Sequence, residues 1–159
     1  MFQRKQTLYM VVAILLLGLM YVIPLARYSG TGPDEQWALR IWGLQQASGE
    51  LVPDVDLQVP FAPVVGVVIL LLVITLVFYR NRPRQLRFAR MSAVFVAAIG
   101  VALAITNGSV VSYLEQGRIL TSHLTLGFFI PVPVLLLCII ALRGIRHDED
   151  LVKSADRLR

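Results

Sequence analysis

The sequence predicts an all-α membrane protein in which four transmembrane helices form an up-down bundle, with a short outward-facing segment between helices 1 and 2. The chain has 159 residues, is 57% hydrophobic and has a mean hydropathy of +0.70, so it carries more apolar surface than a soluble domain of this size can bury. Four stretches without charged side chains are long enough to span about 30 Å of hydrocarbon, which takes about 20 helical residues. Basic residues cluster on one side of these stretches, as they do at the cytoplasmic face of membrane proteins.

The predicted spans share one core, because single membrane helices are stabilised by packing on one another. The sequence therefore predicts a single domain over residues 1–159. Its parts are spans at about residues 7–25, 62–79, 91–113 and 120–142, an outer cap at 26–60, a cytoplasmic loop at 80–90 and a cytoplasmic tail at 143–159.

The orientation follows from the arginine segment, residues 79–90, which separates the second and third apolar runs. Of the 15 lysines and arginines, twelve fall on the side of this segment and three on the other side. This bias predicts a multi-pass protein of the bacterial cytoplasmic membrane with the arginine segment and both termini in the cytoplasm. The segment contributes five candidate lipid or partner contacts, which are Arg80, Arg82, Arg84, Arg87 and Arg90.

Anionic lipid headgroups are the partners that such a basic rim predicts, because each basic residue near the surface contributes about 1 kcal/mol. Nucleic acid is not a predicted partner, since the basic residues sit at span ends and do not form a face with interleaved aromatic residues. The first span begins like a signal peptide, with Arg4 and Lys5 before an apolar run, but the run is long and no cleavage site follows. We expect this span to be retained.

The outer cap allows two conformations. Alternating residues around Trp37 and Trp42, followed by a turn-like Ala47-Ser48-Gly49, favour a β-hairpin on the outer membrane surface. An interfacial helix that begins near Asp34 is the alternative, because apolar residues there also fall on one helical face. Trp37 and Trp42 are predicted interface anchors or partner contacts in either case.

Two features are predicted for the last span and its extension. Pro131 and Pro133 lie about halfway along the span and predict a kink. Beyond residue 142, an apolar stripe predicts an amphipathic cytoplasmic helix that packs under the arginine segment or on a partner. Leu151 and Leu158 are the candidate contacts on this stripe.

Three cytoplasmic segments resemble an uncharacterised family of small bacterial four-span membrane proteins, classed only as a domain of unknown function. They are Gln3-Arg4-Lys5-Gln6-Thr7-Leu8-Tyr9, then Tyr79-Arg80-Asn81-Arg82 with Gln85-Leu86, and Ile145-Arg146-His147-Asp148-Glu149 with the tail Leu151-Val152-Lys153-Ser154-Ala155-Asp156-Arg157-Leu158-Arg159. The likeness covers the whole chain in the same order. It implies four spans in the cytoplasmic membrane, and it supplies no activity and no catalytic position.

The predicted spans contain no acidic residue, lysine or arginine, which are the groups that a proton relay or ion pathway commonly uses. His123 is the one titratable imidazole in a span and the only candidate for a cofactor contact, but it lacks a second strong donor at similar depth. The single cysteine, Cys138, has no partner for a disulfide within the chain. We therefore predict no catalytic residue, no metal site and no bound cofactor.

These observations favour a non-enzymatic accessory or scaffold subunit that packs with larger membrane partners or as a homo-oligomer. A small oligomeric transporter or channel is the alternative, and it requires a polar path that joins Thr75 to Thr106 and His123. A subunit that binds haem or quinone through His123 is the third hypothesis.

Overall fold

The computed structural model describes residues 3–30, 32, 35–52, 59–115 and 120–157. The helices are α1 (Gln3–Leu19), α2 (Phe61–Val77), α3 (Arg82–Glu115), α4 (Leu126–Phe129) and α5 (Pro131–Arg157). The strands are β1 (Ala26–Ser29), β2 (Gln36–Arg40), β3 (Gly43–Gln46) and β4 (Thr121–Leu124). A single 3-10 turn, Phe78–Arg80, joins α2 to α3.

The strands form one antiparallel sheet with the order β3-β2-β1-β4. Strands β2 and β3 make a tight hairpin whose turn is followed by Gly43 at a φ of 148°, a conformation that a residue without a Cβ adopts easily. Strand β1 lies in the centre and pairs with β2 on one side and with β4 on the other. The outer cap thus contains a hairpin, but its strands turn at Ile41 and Trp42 and not at the predicted Ala47-Ser48-Gly49, and the hairpin is half of a larger sheet.

The prediction of an all-α bundle with four transmembrane helices is wrong. In the described part of the chain only two helical stretches, Arg82–Glu115 and Leu126–Glu149, are long and apolar enough to cross a membrane. Helices α1 and α2 have 17 residues each, about 25 Å at 1.5 Å per residue, which is less than the roughly 30 Å of a hydrocarbon core. Two of the predicted spans are also not helical throughout, because residues 20–25 of the first form the turn that leads to β1 and the fourth begins with β4.

The sheet packs on one end of the helices through the apolar face of its two central strands. Ala26, Tyr28 and Leu39 are at most 1% exposed and belong to the same hydrophobic cluster as residues from α1, α2, α3 and α5. Gly127 lets α4 approach this junction, since a Cβ at that position would lie 2.5 Å from the carbonyl oxygen of Pro24. The sheet is therefore part of the core and not a loosely attached cap.

At the predicted kink, α4 and α5 are separated only by Ile130, whose backbone is itself α-helical. Helix α4 ends at Phe129, and α5 starts at Pro131 after the single residue Ile130. Pro131 and Pro133 consequently occupy the first turn of α5, where a missing backbone N–H costs no hydrogen bond within the helix. The backbone N–H of Val134 donates a 3.3 Å hydrogen bond to the carbonyl of Ile130, so α5 is bonded to the residue that joins it to α4.

Both long helices have an inward face that is buried and an outward face that is apolar. On α3, Val96, Ile99 and Leu103 are buried, whereas Val94 and Val101 are 69% and 61% exposed. On α5, the same contrast separates buried residues such as Val134 from Val132 and Leu136, which are 59% and 57% exposed. Outward apolar faces on two long helices support a membrane location by length and composition.

Candidate functional site

The helix ends opposite the sheet bring three distant segments of the chain together. The side-chain amide of Gln6 on α1 donates a 3.0 Å hydrogen bond to Oδ2 of Asp148 on α5. The guanidinium of Arg82, at the start of α3, donates to the backbone carbonyl of the same Asp148. These two bonds tie the beginning of α1, the beginning of α3 and the far end of α5 to one point.

A cavity of about 360 Å³ lies at this meeting point and is named here the arginine-end cavity. Its volume is near the lower end of the range of ligand pockets, about 300 to 1,000 Å³. Its lining combines amide, hydroxyl and charged groups with two apolar side chains, and the residues are Gln6, Thr7, Leu76, Tyr79, Arg82, Gln85, Ile145 and Asp148.

Two glutamines give the cavity its polar wall, and both are mostly covered by protein. Gln6 and Gln85 are each 8% exposed. Gln6 fits because α5 carries Gly144 beside it, where a Cβ would lie 2.9 Å from Cγ and Nε2 of Gln6. Arg82 and Gln85 are three residues apart on α3, a spacing that places them on the same side of a helix. The polar wall therefore depends on the helical spacing of Arg82 and Gln85 and on the close approach of Gln6 to Gly144.

The structure divides the five predicted arginine contacts. Arg82 is half-buried and lines the cavity, whereas Arg84, Arg87 and Arg90 are exposed on the first turns of α3. Arg80 ends the 3-10 turn, and the position of its side chain lies outside the described part of the structure. Most of the predicted loop at 80–90 is thus helical.

A ring stack stabilises the sharp connection that leads into α3. Phe78 and Phe88 have centroids 5.7 Å apart and planes inclined by 13°. This contact brings the 3-10 turn against the second turn of α3, so the arginine segment is held by packing as well as by hydrogen bonds.

The two tail candidates stay predictions. Leu151 belongs to α5, which continues through the tail to Arg157, but the placement of its side chain is not among the described positions. Leu158 lies outside the described residues.

The tryptophans lie at the sheet end. Trp42 is 60% exposed at the hairpin turn, and its ring meets the edge of Tyr21 at a centroid distance of 5.5 Å. Trp37 is half-buried on β2 and packs against the main hydrophobic cluster. These positions place both rings where the sheet meets the helices.

His123 is exposed on β4, directly opposite Arg27 of β1. Both residues line an open depression on the sheet, with Arg40 from β2. Arg40 donates a 3.2 Å hydrogen bond from Nη1 to the carbonyl of Val22, and its buried Nε has no partner among the described residues. His123 therefore has a cationic neighbour across the strand pair.

The polar residues considered for a path through the helices make local contacts. Thr75 is fully buried and donates a 2.7 Å hydrogen bond to the carbonyl of Leu71, one turn earlier on the same helix. Asn107, next to the 6% exposed Thr106, accepts a hydrogen bond from Tyr28 of the sheet.

Gln6, Thr7, Gln85 and Asp148 were not predicted from the sequence to lie in one site. Each of them is present in the segments that carry the family resemblance, and those three segments supply every described lining residue of the arginine-end cavity except Leu76. The signal was the grouping of polar residues at three helix ends that a bundle brings to the same side.

Comparison with known proteins places the chain in context. The model of a family described as a domain of unknown function (DUF4293) matches residues 2–158. No curated protein matches the chain.

Proposed function

Because this chain belongs to the family described as a domain of unknown function, DUF4293, we propose a function from its surfaces: it is a non-enzymatic accessory or scaffold subunit of the cytoplasmic membrane. In this role it packs beside larger membrane proteins. It presents the sheet on one side of the bilayer and the arginine end on the other.

The observation that carries the proposal is the outward face of α3. Small residues are usually enriched where membrane helices pack closely, because they let two backbones approach. On α3 the buried side includes the small residues Ala89 and Ser92, and Ala97, Ala98, Ala104 and Gly108 are in addition exposed beside Val101. An outward face of small and apolar residues suits a helix of another subunit.

The proposed topology follows from length and charge. Helix α3 has 34 residues, about 51 Å, and so reaches beyond a hydrocarbon core of about 30 Å at its ends. Arg82, Arg84, Arg87 and Arg90 occupy its first turns, which favours a cytoplasmic position for that end. Gln6 is bonded to Asp148 at the same end, so the proposal places both chain ends in the cytoplasm and the sheet outside.

The proposal is tested by extracting the tagged chain from its native membrane with a mild detergent and identifying the proteins that copurify. We expect stable neighbours, and we expect their recovery to fall several-fold when Ala97→Leu and Ala104→Leu are combined. Val132→Leu on the exposed face of α5 is the matched control and should retain the neighbours. Recovery of a lone monomer under several gentle conditions would contradict the proposal.

A further inference from the structure

Among its described lining residues, the arginine-end cavity has one positive and one negative side chain, Arg82 and Asp148, which are bonded to different partners. The guanidinium of Arg82 bonds the backbone carbonyl of Asp148, while the carboxylate of Asp148 accepts its hydrogen bond from Gln6. Since neither bond joins the two charged groups directly, each group retains capacity for another partner. We propose that this cavity binds the zwitterionic phosphoethanolamine headgroup of a membrane phospholipid, a proposal that rests on the membrane location proposed above.

In this proposal, Arg82 binds the phosphate of the headgroup. A guanidinium has five N–H donors in a planar fork, so the bond to the Asp148 carbonyl leaves donors for phosphate oxygens. Arginine binds phosphate through short, charge-assisted hydrogen bonds that are about twice as strong as neutral ones.

In this proposal, the carboxylate of Asp148 binds the ammonium of the headgroup. An ionised carboxylate accepts about four hydrogen bonds, and the described contacts of Asp148 include one, the 3.0 Å bond from Gln6. A primary ammonium group has three donors and fits this capacity. The same carboxylate would repel a headgroup that carries negative charge alone.

Gln85 contributes a side-chain amide to the wall of the cavity. It is 8% exposed and lines the cavity, and its amide can both donate and accept hydrogen bonds. A headgroup phosphate or ammonium between Arg82 and Asp148 would give the amide a donor or an acceptor.

The cavity also suits a lipid by position and by its apolar wall. Leu76 and Ile145 line it on the side of the helices, where the glycerol and first acyl carbons would lie. The exposed arginines nearby, such as Arg84, have no carboxylate bonded beside them in the described structure and suit anionic headgroups in general. Selectivity for a zwitterion is therefore expected at the cavity and not on the surrounding rim.

The experiment uses the full chain, purified in detergent and stripped of lipid, with lipid binding followed by native mass spectrometry. Phosphatidylethanolamine and phosphatidylglycerol with identical acyl chains are added at equal concentration. We expect retention of phosphatidylethanolamine to exceed that of phosphatidylglycerol several-fold. Gln85→Leu and Arg82→Gln should reduce this retention at least threefold, while Arg84→Gln, an exposed arginine two residues from Arg82, should leave it unchanged.

Asp148→Asn separates recognition from folding. The variant keeps an oxygen that can accept the Gln6 hydrogen bond but removes the charge that attracts the ammonium. We expect it to bind phosphatidylglycerol as well as, or better than, phosphatidylethanolamine, and a variant that only misfolds would lose both lipids.

Two results would overturn the proposal. Equal retention of both lipids by the unmodified chain would show that the cavity does not select a zwitterion. Binding of water-soluble phosphoethanolamine without binding of the lipid would assign the site to a cytosolic metabolite. Recovery of the chain without protein neighbours would contradict the accessory role alone, so the two proposals fail by different measurements.

Discussion

The hydroxyl of Tyr28 donates a 2.8 Å hydrogen bond to Oδ1 of Asn107, which fastens the central strand of the sheet to α3. Tyr28 is 1% exposed and is among the largest fully buried side chains of the described structure. This contact joins residues that are 79 positions apart, so the sheet end and the long helix form one folded unit.

Substitutions at this pair should have unequal effects on the free energy of unfolding. Tyr28→Phe removes the donor and should cost about 1 kcal/mol, because the half-buried Asn107 can still meet solvent. Asn107→Ala leaves a buried hydroxyl without its acceptor and should cost about 1 to 3 kcal/mol. Thermal unfolding of the purified protein measures both values. Ser109→Ala, which removes an exposed hydroxyl on the same helix, is the control and should change stability by less than about 0.5 kcal/mol.

Tyr28 should also make the protein sensitive to alkali. Burial raises the pKa of Tyr28 from 10.0 to about 12. The unfolded chain therefore loses this proton as the pH passes about 10, while the folded chain keeps it until about 12. The contribution to stability is complete below pH 10 and falls by about 3 kcal/mol across this window.

The measurement is thermal unfolding at pH 8.5 and at about pH 11, compared between the unmodified chain and Tyr28→Phe. The other tyrosines are common to both proteins, so the difference between the two slopes isolates Tyr28. An identical decline in both proteins would contradict the assignment.

The close approach of α4 to the turn before β1 depends on Gly127. A Cβ at this position would lie 2.5 Å from the oxygen and 3.1 Å from the carbon of the Pro24 carbonyl, and backbone atoms cannot move away as a flexible side chain can. Gly127→Ala should therefore destabilise the protein by about 2 kcal/mol or more, as overpacking in a core commonly does.

Gly108 provides the matched control on α3. A Cβ there meets nothing within 4 Å, so Gly108→Ala should be tolerated and should stabilise the helix by up to about 1 kcal/mol. Equal stability of Gly127→Ala and Gly108→Ala in thermal unfolding would contradict the packing at the sheet junction.

The long helices could be predicted from the sequence because each one contains a continuous apolar run of neighbouring residues. All four charge-free runs contain a helix, and the boundary between α4 and α5 lies at the proline pair. Strand β4 was not predictable in this way, because Thr121–Leu124 is continuous with an apolar run and becomes a strand only by pairing with β1 from the other end of the chain. A pairing between such distant segments leaves no local pattern.

The arginine segment shows a second limit of prediction from the sequence. The five arginines between two apolar runs suggested a loop, but α3 begins at Arg82, and Pro83 within its first turn is compatible with a helix. The arginine-end cavity was likewise out of reach, because Gln6, Gln85 and Asp148 meet only after three helices have packed.

A charge on the outward face of α3 tests whether lipid or another apolar surface covers it. Val101 is 61% exposed near the middle of α3. In water, Val101→Arg would be nearly neutral, whereas an arginine at the centre of a membrane helix costs about 2.5 to 3.5 kcal/mol on insertion scales. We expect the variant to reduce the membrane-integrated fraction, measured by carbonate extraction. Glu115→Arg, at the exposed end of the helix, should be integrated normally.

The most direct test of the proposed architecture is the labelling of single cysteines in intact cells with a maleimide that cannot cross the membrane. Cys138→Ala removes the native thiol, and Ser48→Cys and Arg84→Cys then place one reactive group at the sheet end or at the arginine end, both at exposed positions. The proposed architecture predicts that Ser48→Cys is labelled from outside and that Arg84→Cys is labelled only after the membrane is permeabilised. Labelling of Arg84→Cys in intact cells, or of both positions from the same side, would contradict it.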